Sequence, residues 1–146
     1  MPDNAFIVEL SNYFRTIVAH LTKEWNKRMV DNLNFTQTKM LSLLDANGPM
    51  KASRLAEELC MTSGALTGIA DKLIASDHIV RERDENDRRV VYVRITEKGR
   101  RALKEVRVRQ KETLSLVFQN LSPEDEAHLR RIFKKVMSAL EQRQKE

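Results

Sequence analysis

"MTSGALTGIADKLIASDHIVRERDENDRRVVYVRITEKG", residues 61–99, changes its hydrophobic period part-way along, and that change decides the fold. In the first third, Leu66, Ile69, Ala70 and Leu73 fall at i, i+3, i+4 and i+7, the stripe of an amphipathic helix from about Ser63 to Ser76. From Ile79 the repeat shortens to two. Segments 79–83 and 89–95 are rich in β-branched residues and flank the polar tip 84–87, the pattern of a two-stranded hairpin. Val91, Val93 and Ile95 share one face of the second segment; Val90, Tyr92 and Arg94 share the other. Thr96 then caps a long helix reaching Leu116 or beyond.

Upstream, a short helix through "RLAEELC" breaks at Met61-Thr62, so that two short helices and a tight turn make a helix-turn-helix. Asn47-Gly48-Pro49 ends the helix before it. That helix is expected to begin with Thr36 as N-cap and Phe35 folded back on Met40 as a hydrophobic staple. From Ala5 to about Val30, Phe6, Leu10, Tyr13, Phe14, Ile17, Leu21, Trp25 and Met29 form one continuous stripe. A helix of that span is roughly 40 Å long, more than a domain of this size needs internally.

Downstream, Ser122-Pro123-Glu124-Asp125 reads as a helix start, with a capping serine, proline at the first helical position and acids in the first turn. Leu129, Ile132, Phe133, Val136 and Leu140 supply its stripe. The expected architecture is mainly α (α+β): one domain over 1–146, a winged helix-turn-helix lobe over about 35–109, and long N- and C-terminal dimerisation helices over 5–33 and about 110–146. Both arms carry surplus apolar surface, which a homodimer with twofold symmetry would bury.

Composition narrows the function. A hydrophobic content of 41% with 32% charged residues, and few Gly and Pro, suits a helical globular chain. No apolar run is long enough to span a bilayer, and "MPDNAFIVEL" lacks the basic start and apolar middle of an export signal, so a cytoplasmic location is expected. The one cysteine, Cys60, has no intramolecular partner, as expected in a reducing compartment. The net charge is +5, and between Lys72 and Arg109 stand 12 Lys/Arg against 7 Asp/Glu, so the whole surplus lies in that quarter of the chain. Such a local field attracts polyanions, although a solvated helical surface has the same composition.

The expected partner is double-stranded DNA. Outside the buried stripe, Ser63, Gly64, Ala65, Thr67 and Gly68 offer hydroxyls, backbone N–H groups and little bulk, which suits a helix entering a major groove about 12 Å wide. Tight packing against another helix would explain one glycine. Lys51 and Arg54 lie where the preceding helix begins, where a cation is slightly unfavourable unless a phosphate is near. At the hairpin tip Arg88 or Arg89 can probe a minor groove, with Asp87 holding the guanidinium. Thr62 and Lys72 complete the candidate DNA-contacting set.

The run "LAEELCMTSGALTGIADKLIASDHIVRERDENDRRVVYVRITEKG" resembles the central region of the MarR family of bacterial transcription regulators, including the Asp-x-Arg wing at Asp87 and Arg89 and the T-x-x-G at Thr96 and Gly99. The helix order outside it fits as well. The resemblance implies a homodimer joined by its terminal helices on a pseudo-palindromic operator. It also implies repression relieved by a small, often aromatic or anionic, effector that binds between the dimer helices and the DNA-binding lobe. Ser63, Gly64, Ala65 and Thr67 match the family's recognition-helix contacts, and Arg89 its wing arginine. Asp77 departs from the pattern where a glycine usually ends the recognition helix, so a different helix end or turn is expected. Lys51 replaces the usual capping hydroxyl and Arg54 the usual acid.

Enzymatic readings find no support: there is no phosphate loop, no Cys/His metal cluster, no nucleophile elbow and no cofactor motif. His20, His78 and His128 are isolated, as surface or helix-end histidines are. Two alternatives remain, a winged-helix module that binds protein and a thiol-based redox sensor using Cys60. Against the second, Cys60 at the end of a short helix is expected to pack as a small hydrophobe.

Overall fold

The computed structural model describes residues 1–145. In chain order these form α1 (Asn4–Lys27), α2 (Phe35–Asn47), β1 (Met50–Lys51), α3 (Ala52–Glu58), α4 (Ser63–Ala75), β2 (Ile79–Arg83), β3 (Val91–Ile95), α5 (Glu97–Val117) and α6 (Pro123–Arg143). The chain divides into two compact units, Met1–Thr113 and Leu114–Glu146. Among the described residues, no helix is long and apolar enough to cross a membrane.

The first unit holds the core. Met40, Leu41 and Leu44 of α2, Leu55 of α3, Leu66, Ala70 and Leu73 of α4, Ile79, Val93 and Ile95 of the sheet, and Ala102, Leu103 and Val106 of α5 are all buried. The helical stripe read at Leu66, Ala70 and Leu73 and the strand face read at Val93 and Ile95 therefore bury as expected, with Ile69 and Val91 partly covered. Of α1, Trp25 alone is buried. Trp25 joins this core within its own chain, while Phe6, Tyr13, Phe14 and Ile17 remain exposed.

Four local expectations need correction. The sheet has three strands in the order β1-β3-β2, not two, because Met50 and Lys51 pair antiparallel with Val93 and Tyr92. A two-residue strand is too short to show alternation, and it forms after Gly48, at φ 73°, turns the chain. The second hairpin strand begins at Val91 rather than Arg89. Asp84 N–H donates to the Val90 carbonyl (2.9 Å) and Val90 N–H to that of Asp87 (3.0 Å), which puts Arg89 in the turn.

The N-cap of α2 is Asn34, not Thr36. Asn34 and Gln37 make a reciprocal capping box, the Gln37 N–H donating to Asn34 Oδ1 (2.8 Å) and the Asn34 N–H to Gln37 Oε1 (2.9 Å). Phe35 becomes the first helical residue and stays 62% exposed instead of closing over Met40. Finally, α1 ends at Lys27. Asp31 and Asn32 take φ of 50° and 57°, the positive values at both central positions of a type I′ turn, between buried Val30 and Leu33. The Leu33 N–H closes that turn on the Val30 carbonyl at 2.8 Å.

In the second unit, α6 begins as expected. Ser122 and Asp125 form a capping box with Pro123 inside the first turn, and the two hydrogen bonds with Ser122 hold the Asp125 carboxyl below the usual carboxylate range. None of its residues is buried: Ile132, Phe133, Val136, Met137 and Leu140 all face outward.

Candidate nucleic-acid interface

Both ends of the helix-turn-helix are closed by the same backbone device. After α3, Cys60 takes φ 53°, with its N–H on the Glu57 carbonyl (3.0 Å) and the Met61 N–H on that of Ala56 (2.9 Å). After α4, Asp77 takes φ 63°, with its N–H on Ile74 (3.0 Å) and the His78 N–H on Leu73 (2.9 Å). Each pair of bonds is a Schellman motif. Asp77 therefore fills the left-handed position that a glycine would take. The motif also explains why Cys60 is exposed rather than packed: a left-handed residue past a helix end points away from the helix it terminates.

Thr62 follows as the N-cap of α4, its Oγ1 accepting from the Ala65 N–H at 3.1 Å. Ser63, Gly64, Ala65, Thr67 and Gly68 are all exposed, so the first two turns of α4 present one small, polar face. The glycines are not packing devices. A β-carbon added to Gly64 or Gly68 would meet nothing within 4 Å, and neither has a positive φ. Gly68, inside the helix, weakens it by about 1 kcal/mol relative to alanine with no compensating contact inside the chain.

At the wing tip the Arg89 side chain is 92% exposed, yet it is held. Its Nε donates to Asp87 Oδ1 at 3.1 Å, its Nη2 approaches Oδ2 at 3.4 Å, and its backbone N–H donates to the same carboxylate at 3.1 Å. These bonds hold the Asp87 carboxyl below the usual carboxylate range. The expected Asp-x-Arg clasp is present, with the guanidinium open to solvent. Lys51, Arg54, Lys72 and Arg88 are exposed too, and among the described residues they form no ion pair. Lys51 is the N-cap residue of α3 and makes no side-chain cap, which leaves that helix start cationic.

Three supporting arginines escape a reading of the sequence alone. Arg83 Nη1 donates to the Arg88 carbonyl at 3.1 Å and braces the tip from within. Arg81 Nη2 reaches Asp71 Oδ1 at 3.0 Å, tying β2 to α4. Arg94 pairs with Glu82 across the two strands at 2.8 Å. The strand register brings the last pair within reach, since Val80 opposes Arg94 and Glu82 opposes Tyr92. His78 lies just past the end of α4, as a helix-end histidine does, but it is buried between Ser76 and Asp31 rather than at the surface. Away from this face, α2 and α5 border a shallow groove of about 190 Å³ that includes Phe35, Lys39, Ser42, Leu103, Arg107 and Gln110.

The family model described as MarR family matches residues 33–91, which run from just before α2 to the start of β3. YkoM of Bacillus subtilis, an HTH-type transcriptional regulator, is 30% identical over 84% of this chain and 77% of its own. The chain belongs to the MarR family. Its relatives include the transcriptional repressor MprA of Escherichia coli K12, 27% identical over 89% of this chain and 80% of that protein. In fold, the MarR-family chain is similar to the crystal structure of a mutant MarR from E. coli, with a TM-score of 0.75 at 20% identity over 94% of this chain and 98% of the other. Members of the family are DNA-binding transcriptional regulators, not enzymes. Among the described residues, no cluster of three or more His, Cys, Asp or Glu is placed to hold a metal ion.

Proposed function

We propose that the chain is a homodimeric repressor that binds a pseudo-palindromic operator and is released by a small effector. In this reading α4 enters the major groove with Thr62, Ser63, Gly64, Ala65, Thr67 and Gly68, while Arg89 reaches the adjacent minor groove, clasped by Asp87 and flanked by Arg88. Lys51, Arg54 and Lys72 contact phosphate. The observation that carries it is the pair of glycines with nothing beside them: a bare helix face that costs stability within the chain is accounted for by a surface that approaches from outside.

Residues 5–33 and about 110–146 serve as dimerisation arms of a single domain, around a DNA-binding lobe over about 35–109. The apolar faces of α1 and α6 are uncovered in one chain, and a second copy would bury them. Repression follows the relative MprA, which is named a transcriptional repressor. For the effector, the groove between α2 and α5 offers an exposed aromatic ring, Phe35, near the cationic side chain Lys39 and near Arg107, whose Nη1 also bonds Asp45 Oδ2 at 3.3 Å. At about 190 Å³ it lies below the usual range for drug-sized ligands, so a single-ring aromatic anion is the fitting class. Nothing in this reading needs a cofactor, and it places the protein in the cytoplasm.

Selection of bound fragments from genomic DNA, repeated with benzoate as probe, tests the whole reading. A palindromic consensus is expected, with affinity falling steeply between about 50 and 200 mM salt as counterions are released. Recovery without enrichment, or an affinity indifferent to salt, would remove the DNA reading in favour of a protein-binding winged helix.

A further inference from the structure

His78 is nearly sealed, 1% exposed, yet both ring nitrogens are engaged by polar groups from different parts of the chain. Nδ1 lies 2.6 Å from Ser76 Oγ at the end of α4, and Nε2 lies 3.1 Å from Asp31 Oδ2 in the turn that follows α1. The backbone of His78 is fixed as well. Its carbonyl accepts from the Thr96 N–H (3.0 Å). One imidazole thus joins the base of the N-terminal arm to the last turn of the helix proposed to read DNA.

We propose that Asp31 and His78 are positioning residues for DNA recognition, and that proton uptake by the ring tightens their hold on α4. The proton count follows from the partners. Asp31 as a carboxylate accepts only, so Nε2 must carry hydrogen to bond it. When the ring is neutral, Nδ1 is then an acceptor, and the single hydroxyl proton of Ser76 is spent on it. When the ring gains a proton, Nδ1–H donates to Ser76 Oγ, and the hydroxyl turns its own proton to the carbonyl of Lys72 (3.1 Å) or Leu73 (3.2 Å) in the last turn of α4. The bond to Asp31 becomes charge-assisted in the same step.

The charged groups around the ring are few. Asp31 faces it from the α1–α2 turn, its side chain 46% exposed. Lys98 of α5 donates from Nζ to the Ser76 carbonyl at 2.7 Å, and Asp77 adjoins in sequence and is exposed. The sheet and α5 otherwise bring Thr96 and the backbone of Gly99.

The inference rests on the DNA-binding reading, and Asp31→Asn tests it. Asparagine tolerates the left-handed conformation of position 31 and keeps an oxygen for Nε2–H, so the fold and the neutral bond survive while the charge is removed. At constant ionic strength, operator affinity and thermal midpoint are measured for the native chain and the variant from pH 8 to pH 5.5. As pH falls, the native chain should gain on the variant by roughly fivefold in affinity and by about 3 °C in midpoint. Parallel profiles in both measurements overturn the proposal. A midpoint gap without an affinity gap overturns the positioning role and leaves a structural clip. If the native chain binds no operator at any pH, the DNA reading itself fails, and the midpoint arm still decides whether the clip takes a proton.

Discussion

Gly99 lies against the carbonyl of His78 so closely that a β-carbon there would overlap the oxygen and stand 2.7 Å from Ile95 Cγ1. This contact seats the first turn of α5 on the strand that leaves the recognition helix. The Thr96 Oγ1 that accepts from the Gly99 N–H at 3.0 Å also donates to the Asp77 carbonyl at 2.6 Å. Backbone cannot yield as a flexible side chain can. Gly99→Ala is therefore expected to destabilise the fold by about 1–3 kcal/mol, as overpacked cores do. A denaturant midpoint equal to that of the native chain would contradict the close approach.

The glycines of α4 should behave in the opposite way. Because a β-carbon at Gly68 meets open space, Gly68→Ala should stabilise the chain by about 1 kcal/mol through helix propensity. Gly68→Gln, similarly favourable to the helix, should hold that stability and weaken operator binding by about tenfold or more, since a long side chain keeps the helix out of the groove. Calorimetry and a binding titration on the same two proteins read both effects. Loss of stability in Gly68→Ala would show that the position is packed after all.

Much of the lobe is legible in the sequence because its signals are local. The i, i+3, i+4, i+7 stripe at Leu66, Ile69, Ala70 and Leu73 and the alternation at Val91, Val93 and Ile95 each arise from a single element burying one face. What the sequence hides depends on contacts between distant residues. The strand at Met50–Lys51 exists because β3 is there to pair with it. Asp31 meets His78 across 47 positions, and no spacing rule connects a turn to a buried ring so far away.

Cys60 is hidden for a different reason. Its exposure follows from a backbone φ of 53° that a glycine would have advertised and a cysteine conceals. Thr36 and Asn34 are both residue types that cap well, so composition does not choose between them. The deciding partner is Gln37, three residues beyond Asn34.

The wing should be insensitive to pH between 5.5 and 8. The Arg89 guanidinium lowers the Asp87 carboxyl below its ordinary value, so the clasp is fully formed above the unfolded carboxylate range and is lost only as pH falls through the lowered folded value. Between pH 5.5 and 8 it does not titrate. Arg89→Ala should accordingly reduce operator affinity by about tenfold at every pH in that window, parallel to the native profile, with the oligomeric state unchanged. An Arg89→Ala effect that grew or vanished across the window would mean that the wing itself carries a pH response.

The exposed stripe of α1 makes the proposed dimer testable without disturbing the core. Phe14 and Val18 are 49% and 57% exposed in the single chain, and of α1 only Trp25 is buried, so a charge at either site costs the isolated fold almost nothing. In a dimer the same charge would be buried against apolar surface, a cost of several kcal/mol per unpaired ion. Phe14→Glu combined with Val18→Glu is therefore expected to convert the protein to a folded monomer in sedimentation equilibrium, with native-like helical content by circular dichroism. Operator affinity should fall by orders of magnitude, because one lobe contacts half the phosphates and loses the second half-site. A double variant that stays dimeric would place the interface elsewhere. One that is monomeric yet binds with undiminished affinity would show that a single lobe is enough for recognition.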